Sequence, residues 1–462
     1  METAGGARGA ASLPTSPVPC TAALDASPLP LRTKLLYATS SLGSEALGQS
    51  RSLWLLYFYA KREDAELLPL VLVGVLLTVG RLIESLDDAL IGYWSDRTRS
   101  RLGRRIPFVL AATPPWAVFS VLLFTPPSDS STAVTALYFF AVLELFYLFA
   151  TLSGGPYEAL LPEIATTSAE RVHVASLRVY LGVAGAAVGL VGSDFLKDRL
   201  GFKAMALVIG VLALVCRYVG LIGIWRRASR TQPPAAIPFR EAMRVTFANK
   251  QFLAFLPTFV LFQIGFQMLI GVLPYFVDAV LEEGTWVKVR VLTGVAIAST
   301  VAAVPLFALL ARRTSKRHAY STALAIAAVV FPLLSLAGFV PGVPREAQAL
   351  ALMAVAGIPI AGNYLFPATL TADIIDFDSI RTGLRREATY YGAQNFVEKT
   401  ATSVSPLLLA LLLLAGRTAD DPLGVRLVGP VAGLVVLFGY LAFRFYSLPD
   451  EVRTRMAPGP AG

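Results

Sequence analysis

Charge is scarce in this sequence: Asp, Glu, Lys and Arg make up 15% of its 462 residues, where soluble domains run at about 25%. Cysteine is scarcer still. Cys20 and Cys216 cannot build a disulfide framework, and Cys216 falls in an apolar stretch. The two histidines, His173 and His318, lie far apart near predicted loops, so neither a His/Cys metal centre nor a Cys/His nucleophile is expected. No cofactor is expected either. The first 30 or so residues carry Ala, Pro, Ser and Thr but no apolar core segment, which argues for a disordered tail and against a signal peptide.

What the chain has is apolar length. It is 55% hydrophobic with a mean hydropathy of +0.63, and stretches of about 20 apolar residues recur along it. A bilayer accepts only helices or closed barrels, because lipid leaves backbone groups unpartnered. Uniformly apolar runs such as 67–79 lack the alternation of a barrel strand. The expected fold class is therefore an all-α membrane protein. Its candidate spans are about 35–60, 67–94, 106–125, 133–160, 174–195, 203–225, 251–280, 288–311, 319–340, 347–371, 389–416 and 425–446.

The formal charge of +9 sits in short loops between spans. Arg97, Arg99, Arg101, Arg104 and Arg105 crowd one loop, and Arg312, Arg313, Lys316 and Arg317 another. With 226–250 and the loop holding Arg381, Arg385 and Arg386, all fall on one side if spans alternate. That bias predicts both termini in the cytoplasm and no nucleic-acid partner. The longest inter-span segment, 226–250, splits the chain six and six. The expected organisation is a cytoplasmic tail 1–34, a bundle 35–225, a linker 226–250, a second bundle 251–446 and a tail 447–462. Two six-helix halves are the layout of the major facilitator fold, with a solute site between them near mid-membrane.

Ionisable residues inside spans mark function or a partner. Arg81, Glu84 and Asp88 are spaced i, i+3, i+7 and share one helix face. Glu84 and Asp88 stand about 6 Å apart along the axis, close enough for one cation to bridge them or for the pair to share a proton. A purely structural Arg–carboxylate cluster is the competing reading. Asp87 points elsewhere on the helix. In the eleventh span Asn395, Lys399 and Ser403 form a polar stripe, and in the first Ser41, Glu45, Gln49 and Ser52 another. Arg178 precedes Gly185 and Gly189, a GxxxG pair suited to close helix packing. Gln263, Gln267 and Asn363 are either cavity residues or interhelical hydrogen bonds. Arg51, Glu144 and Arg217 have no evident role.

Three segments carry a family likeness. RLIESLDDALIGYWSDRTRSRLGRR at 81–105, PYEALLPE at 156–163 and ADIIDFDSIRTGLRREATYYGAQNFVEKTA at 372–401 resemble the glycoside–pentoside–hexuronide:cation symporters. These form the melibiose permease branch of the major facilitator superfamily. The resemblance implies cation-coupled symport of a small polar solute, a sugar or glycoside, with Na⁺ or H⁺ as coupling ion. It implies a multi-pass protein of the cell membrane, acting as a monomer and not as an enzyme. By the same likeness Glu84, Asp88 and Thr151 fall on the cation site. Glu45, Arg178 and Lys399 fall on positions that contact solute or link the two sites, with Arg81 and Asn395 beside them.

The chain departs from the permease in the sugar pocket, with Gly154 for an acidic residue and Glu158 for an aromatic one. The cation site is kept nearly whole. Relatives in this branch that carry lysophospholipids make an amphiphile transporter the alternative. Readings of another class are a non-transporting sensor or scaffold, and an Asp-rich prenyltransferase using Asp87, Asp88 and Asp96 or Asp373, Asp376 and Asp378. The spacing of those aspartates and the number of spans speak against the prenyltransferase.

Overall fold

The computed structural model describes residues 29–60, 66–98, 100, 102–165, 168–228, 244, 246–281, 285–382 and 387–448. Most of both expected tails, most of the linker 226–250, and Arg99, Arg101, Arg385 and Arg386 lie outside the described residues.

The described residues are helical, without strands. The first half comprises α1 (Leu31–Ala60), α2 (Leu70–Arg97), α3 (Ile106–Leu122), α4 (Thr132–Glu158), α5 (Ser168–Ala187) and α6 (Ser193–Ala228). The second comprises α7 (Lys250–Val280), α8 (Val289–Arg313), α9 (Lys316–Leu333), α10 (Arg345–Thr382), α11 (Glu387–Thr402), α12 (Ser405–Leu413) and α13 (Leu423–Phe443). Among the described residues, eight helical runs are long and apolar enough to cross a membrane, the combined run His173–Trp225 being one of them. Residues 31–34 belong to α1 and not to the expected tail.

Local chemistry sets the helix starts. Ser131 accepts from the Val134 N–H, Asn249 from Gln251 and Phe252, and Ser315 from His318, each quenching a donor the first turn leaves free. Gly201, at φ 80° and ψ 171°, turns the chain inside the run that α6 belongs to. Before it, Gly185 and Gly189 meet Leu42 and Ala46 of α1; after it, Gly43 meets Ala213, and Gly220 meets the Leu36 carbonyl. The chain thus ascends along α1 and returns along it, so His173–Trp225 holds two passes.

Three differences from the expected spans have physical causes. The eleventh span breaks at Ser403–Val404, because Pro406 has no N–H for the Thr402 carbonyl and its ring clashes with that carbonyl. Helix α10 runs to Thr382, past the expected end at 371, because hydropathy marks the lipid edge and not the helix end. Its polar last turns are held by Lys316, whose Nζ lies 2.7 Å from an Asp373 carboxylate oxygen. Helix α2 likewise continues to Arg97.

The halves meet most tightly at the end where α1 finishes. There Tyr57 donates to Asp278 at 2.8 Å, and Arg290 holds Asp194 at 3.0 Å by guanidinium and 3.1 Å by backbone N–H. Arg417 pairs with Glu66 across the same end. Gly74 admits Ala410 and Leu407 so closely that a Cβ there would stand 2.8 Å from the Ala410 methyl. One turn deeper, Thr78 donates to the Ser403 carbonyl at 2.9 Å. Helices α2 and α12/α11 therefore run antiparallel down a seam toward the middle of the bundle.

Candidate functional site

Following that seam inward leads to Glu84. Its Oε2 lies 3.2 Å from Arg81 Nη1 on the preceding turn, and its Oε1 lies 3.2 Å from Lys399 Nζ of the other half. The carboxylate is 7% exposed, against 21% for Arg81 and 32% for Lys399. One acid is thus clamped by a base from each half. The same register brings Asn395, which is exposed, level with residue 88 on the next turn. The Asp88 backbone is helical; its side chain lies outside the described residues.

Thr151 reaches this level from α4. Trp94 meets Phe108, Thr113 meets Ser153, and Tyr138 bonds Leu122, so α2 and α4 both run against α3 and hence parallel. Gly80 packs on Leu143, Glu144 and Tyr147, and one turn further on Thr151 comes level with Glu84. Thr151 is 4% exposed, and its Oγ1 has no hydrogen-bond partner among the described residues. A buried hydroxyl with free lone pairs level with a carboxylate suits a hard cation.

A second cluster lies on the first half alone. Arg178 donates to Glu158 at 2.8 Å and to Ser41 at 3.1 Å, and its guanidinium carbon lies 5.9 Å from the Tyr37 ring. Tyr37 and Tyr157 stack at 4.8 Å and 6°, each hydroxyl bonding the other residue's carbonyl. Glu45 is exposed, accepts from Gln49 at 3.4 Å, and is cleared by Gly182, whose absent Cβ would lie 3.5 Å from Glu45 Cγ. Arg217 donates to Ser44 at 2.9 Å; its Nη2 stands 3.9 Å from where a Gly154 Cβ would be. Arg217 has no carboxylate ion-pair partner among the described residues.

The expected residues fall into these two groups. Glu84, Arg81 and Lys399 are brought together across the halves; Glu45 and Arg178 share the α1/α5 side. The GxxxG expectation holds geometrically: a Gly185 Cβ would stand 2.2 Å from the Leu42 carbonyl oxygen. Gln263 and Asn363 bond each other at 3.2 Å, and Gln263 donates to Glu398 at 2.8 Å. Glu398 escaped sequence reading, although it precedes Lys399 inside an apolar helix. Tyr147, which takes a 2.8 Å hydrogen bond from Arg51, also escaped it.

A helical bundle with charge gathered at an inter-half seam defines a membrane transport protein rather than an enzyme. The family model described as MFS/sugar transport protein matches residues 36–441, and the chain belongs to that family. Among its relatives is the isoprimeverose transporter of Lactiplantibacillus pentosus, 22% identical over 84% of this chain and 81% of that protein. The sodium-dependent lysophosphatidylcholine symporter 1 of Mus musculus is also 22% identical, over 92% of this chain and 87% of its own. Of solved structures, a bacterial homologue of the human drug peptide transporters PepT1 and PepT2 shares the fold, with TM-score 0.60 at 12% identity. It is covered over 96% of its length and covers 90% of this chain.

Proposed function

We propose that this protein is a cation-coupled symporter of a small polar solute, a sugar or glycoside, working by alternating access in the cell membrane. Its bundles are 35–225 and 251–446, both termini are cytoplasmic, all twelve spans cross, and the working unit is a monomer. Glu84, Asp88 and Thr151 take the cation; Glu45, Arg81, Arg178, Lys399 and Asn395 bind solute or couple it. The observation that carries this reading is the Glu84 carboxylate held between Arg81 and Lys399.

A cation arriving at Glu84 competes with Lys399 for the same oxygen. Cation binding therefore loosens a bond that joins the halves, and losing the cation restores it. That is a differential interaction with two states of the seam, as coupling requires. The contacts at Tyr57, Arg290 and Thr78 close one end; with the termini in the cytoplasm, that end is the outer one. Opening it exchanges those bonds for water and exposes the site to the other side. An isoprimeverose transporter among the relatives supports a sugar as cargo, and a sodium-dependent symporter among them supports a sodium ion.

Uptake by proteoliposomes is the test. Isoprimeverose-type glycosides should accumulate under an inward Na⁺ or H⁺ gradient and equilibrate without one. Equal uptake with and without any cation gradient refutes coupling.

One observation favours a lysolipid as alternative cargo. Helices α5, α7, α8 and α10 enclose a cavity of about 1060 Å³, its open mouth included, walled by Phe266, Leu269, Leu273, Ile297 and Ile360, with Tyr364 at one side. An acyl chain fits such a wall better than a sugar does. Accumulation of lysophosphatidylcholine in place of glycosides would assign the cargo to that cavity.

A further inference from the structure

Arg51 is a cation that the proposed cycle does not use. It sits in the interior part of α1, where an unpaired charge is costly. Its Nη1 donates to the Tyr147 hydroxyl at 2.8 Å, and its guanidinium carbon stands 5.2 Å from the Tyr147 ring and 5.7 Å from the Phe146 ring. Arg81 also lies over the Tyr147 ring, at 5.7 Å. Among the described residues Arg51 has no carboxylate partner, and its buried Nε has no acceptor. Ring faces and one hydroxyl attract a guanidinium but do not neutralise it.

Both arginines line one cavity between the halves, of about 530 Å³ with its open mouth included. Gln267, Thr402 and Ser405 line it from the second half, and leucines of α1, α2 and α12 supply its apolar walls. Ser405 is 2% exposed, and its Oγ has no hydrogen-bond partner among the described residues. Two guanidiniums, of which only Arg81 has a carboxylate partner, and that hydroxyl converge on a space whose described lining holds no acidic residue.

We propose that this cavity binds one small anionic group, a halide or a carboxylate, with Arg51 as its counter-charge and Arg81 and the Ser405 hydroxyl as further donors. The walls come from both halves, so a bound anion braces the closed seam and stabilises this conformation. The group arrives either as a free ion or as part of the solute. This assignment goes beyond cation coupling. Because binding is read without any gradient, a failure of coupled uptake leaves the anion site standing, and the reverse also holds.

The experiment uses the full chain purified in detergent, at fixed pH, Na⁺ and ionic strength, with the bulky sulfonate HEPES as reference anion. Replacing it stepwise by chloride or formate should raise the thermal midpoint saturably by about 2 °C. Methyl β-glucuronide is compared with neutral methyl β-glucoside in the same way. A rise with chloride or formate that is lost in Arg51→Gln establishes a free anion. A rise with the glucuronide alone, also lost in Arg51→Gln, establishes a solute-borne one. No rise with any of these anions, or a rise that persists in Arg51→Gln, overturns the site. Arg51→Lys keeps the charge and should keep the response. Should Arg51→Gln fail to fold, Ser405→Ala decides: the half-saturating concentration should rise about threefold to tenfold, and an unchanged value overturns the assignment.

Discussion

Replacing Lys399 by alanine should make the protein bind sodium more tightly while it transports less well. The Lys399 ammonium lies 3.2 Å from Glu84 Oε1. At an effective dielectric of about 20, unit charges at that distance attract by about 5 kcal/mol. Lys399 is 32% exposed, so water screens part of this, and a net coupling of about 2 kcal/mol is expected. A cation entering Glu84 must displace that interaction. In Lys399→Ala it has nothing to displace, and the sodium concentration for half-maximal thermal stabilisation should fall roughly tenfold or more, the equivalent of about 1.4 kcal/mol. Coupled uptake should fall, since the bond that reports cation occupancy to the other half is gone. Glu84→Gln should abolish sodium stabilisation, and the double variant should be less than additive in stability. Thermal denaturation across a sodium titration, on the four members of the cycle, measures the sodium dependence and the coupling energy, and gradient-driven uptake measures the remaining outcome, the fall in transport. Unchanged sodium dependence in Lys399→Ala, or a coupling energy below about 0.5 kcal/mol, would refute the competition.

Other outcomes follow from the same geometry. Asp88→Asn should abolish uptake against a gradient yet leave downhill exchange of solute; accumulation that survives intact removes the carboxylate pair from the mechanism. Gly185→Ala places a methyl 2.2 Å from the Leu42 carbonyl oxygen. The backbone cannot retreat cheaply, so a loss of about 2 kcal/mol or more is expected, read as a lower thermal midpoint. Gly154→Asp hands Arg217 a carboxylate, since its Nη2 already lies 3.9 Å from the would-be Cβ. Disaccharide binding should improve, and calorimetry with melibiose checks it. Arg290→Ala removes both bonds from its side chain to Asp194 and Asp198. Labelling of a cysteine introduced at Gln267 from the side where α1 ends should then rise.

The parts of the fold set by lipid were legible in the chain, because apolar length and loop arginines obey the bilayer directly. The Arg81–Glu84 contact follows from i, i+3 spacing, and the Gly185/Gly189 face from small residues on one helix side. Lys399 as the third member does not follow from any local pattern, since it reaches Glu84 from another helix of the other half. The polar stripe of the eleventh span marks the lysine, but its contact with Glu84 comes from the packing of the two halves. The break at Ser403–Val404 had a signal in Pro406, which an otherwise apolar run overrides by eye. Gln263, Asn363 and Glu398 each look like isolated polar residues; only packing of α7, α10 and α11 makes them a chain.

The tyrosine pair of the first half bears on how the molecule moves. Tyr37 and Tyr157 each bond the other's backbone carbonyl, so α1 cannot slide along α4 without breaking both bonds at once. Prolines inside helices are few on this side: Pro114, Pro115 and Pro156. The second half carries Pro257, Pro274, Pro305, Pro332, Pro359, Pro367 and Pro430 within its helices. Each removes a backbone hydrogen bond and creates a place to bend. Places to bend are therefore more numerous in the second half. That half supplies α7, α8 and α10 of the wall around the apolar cavity, and α5 closes the wall from the first half. A bend at Pro274, Pro305 or Pro359 would change the shape of that space on three sides while the tyrosine clasp holds α1 and α4 in register.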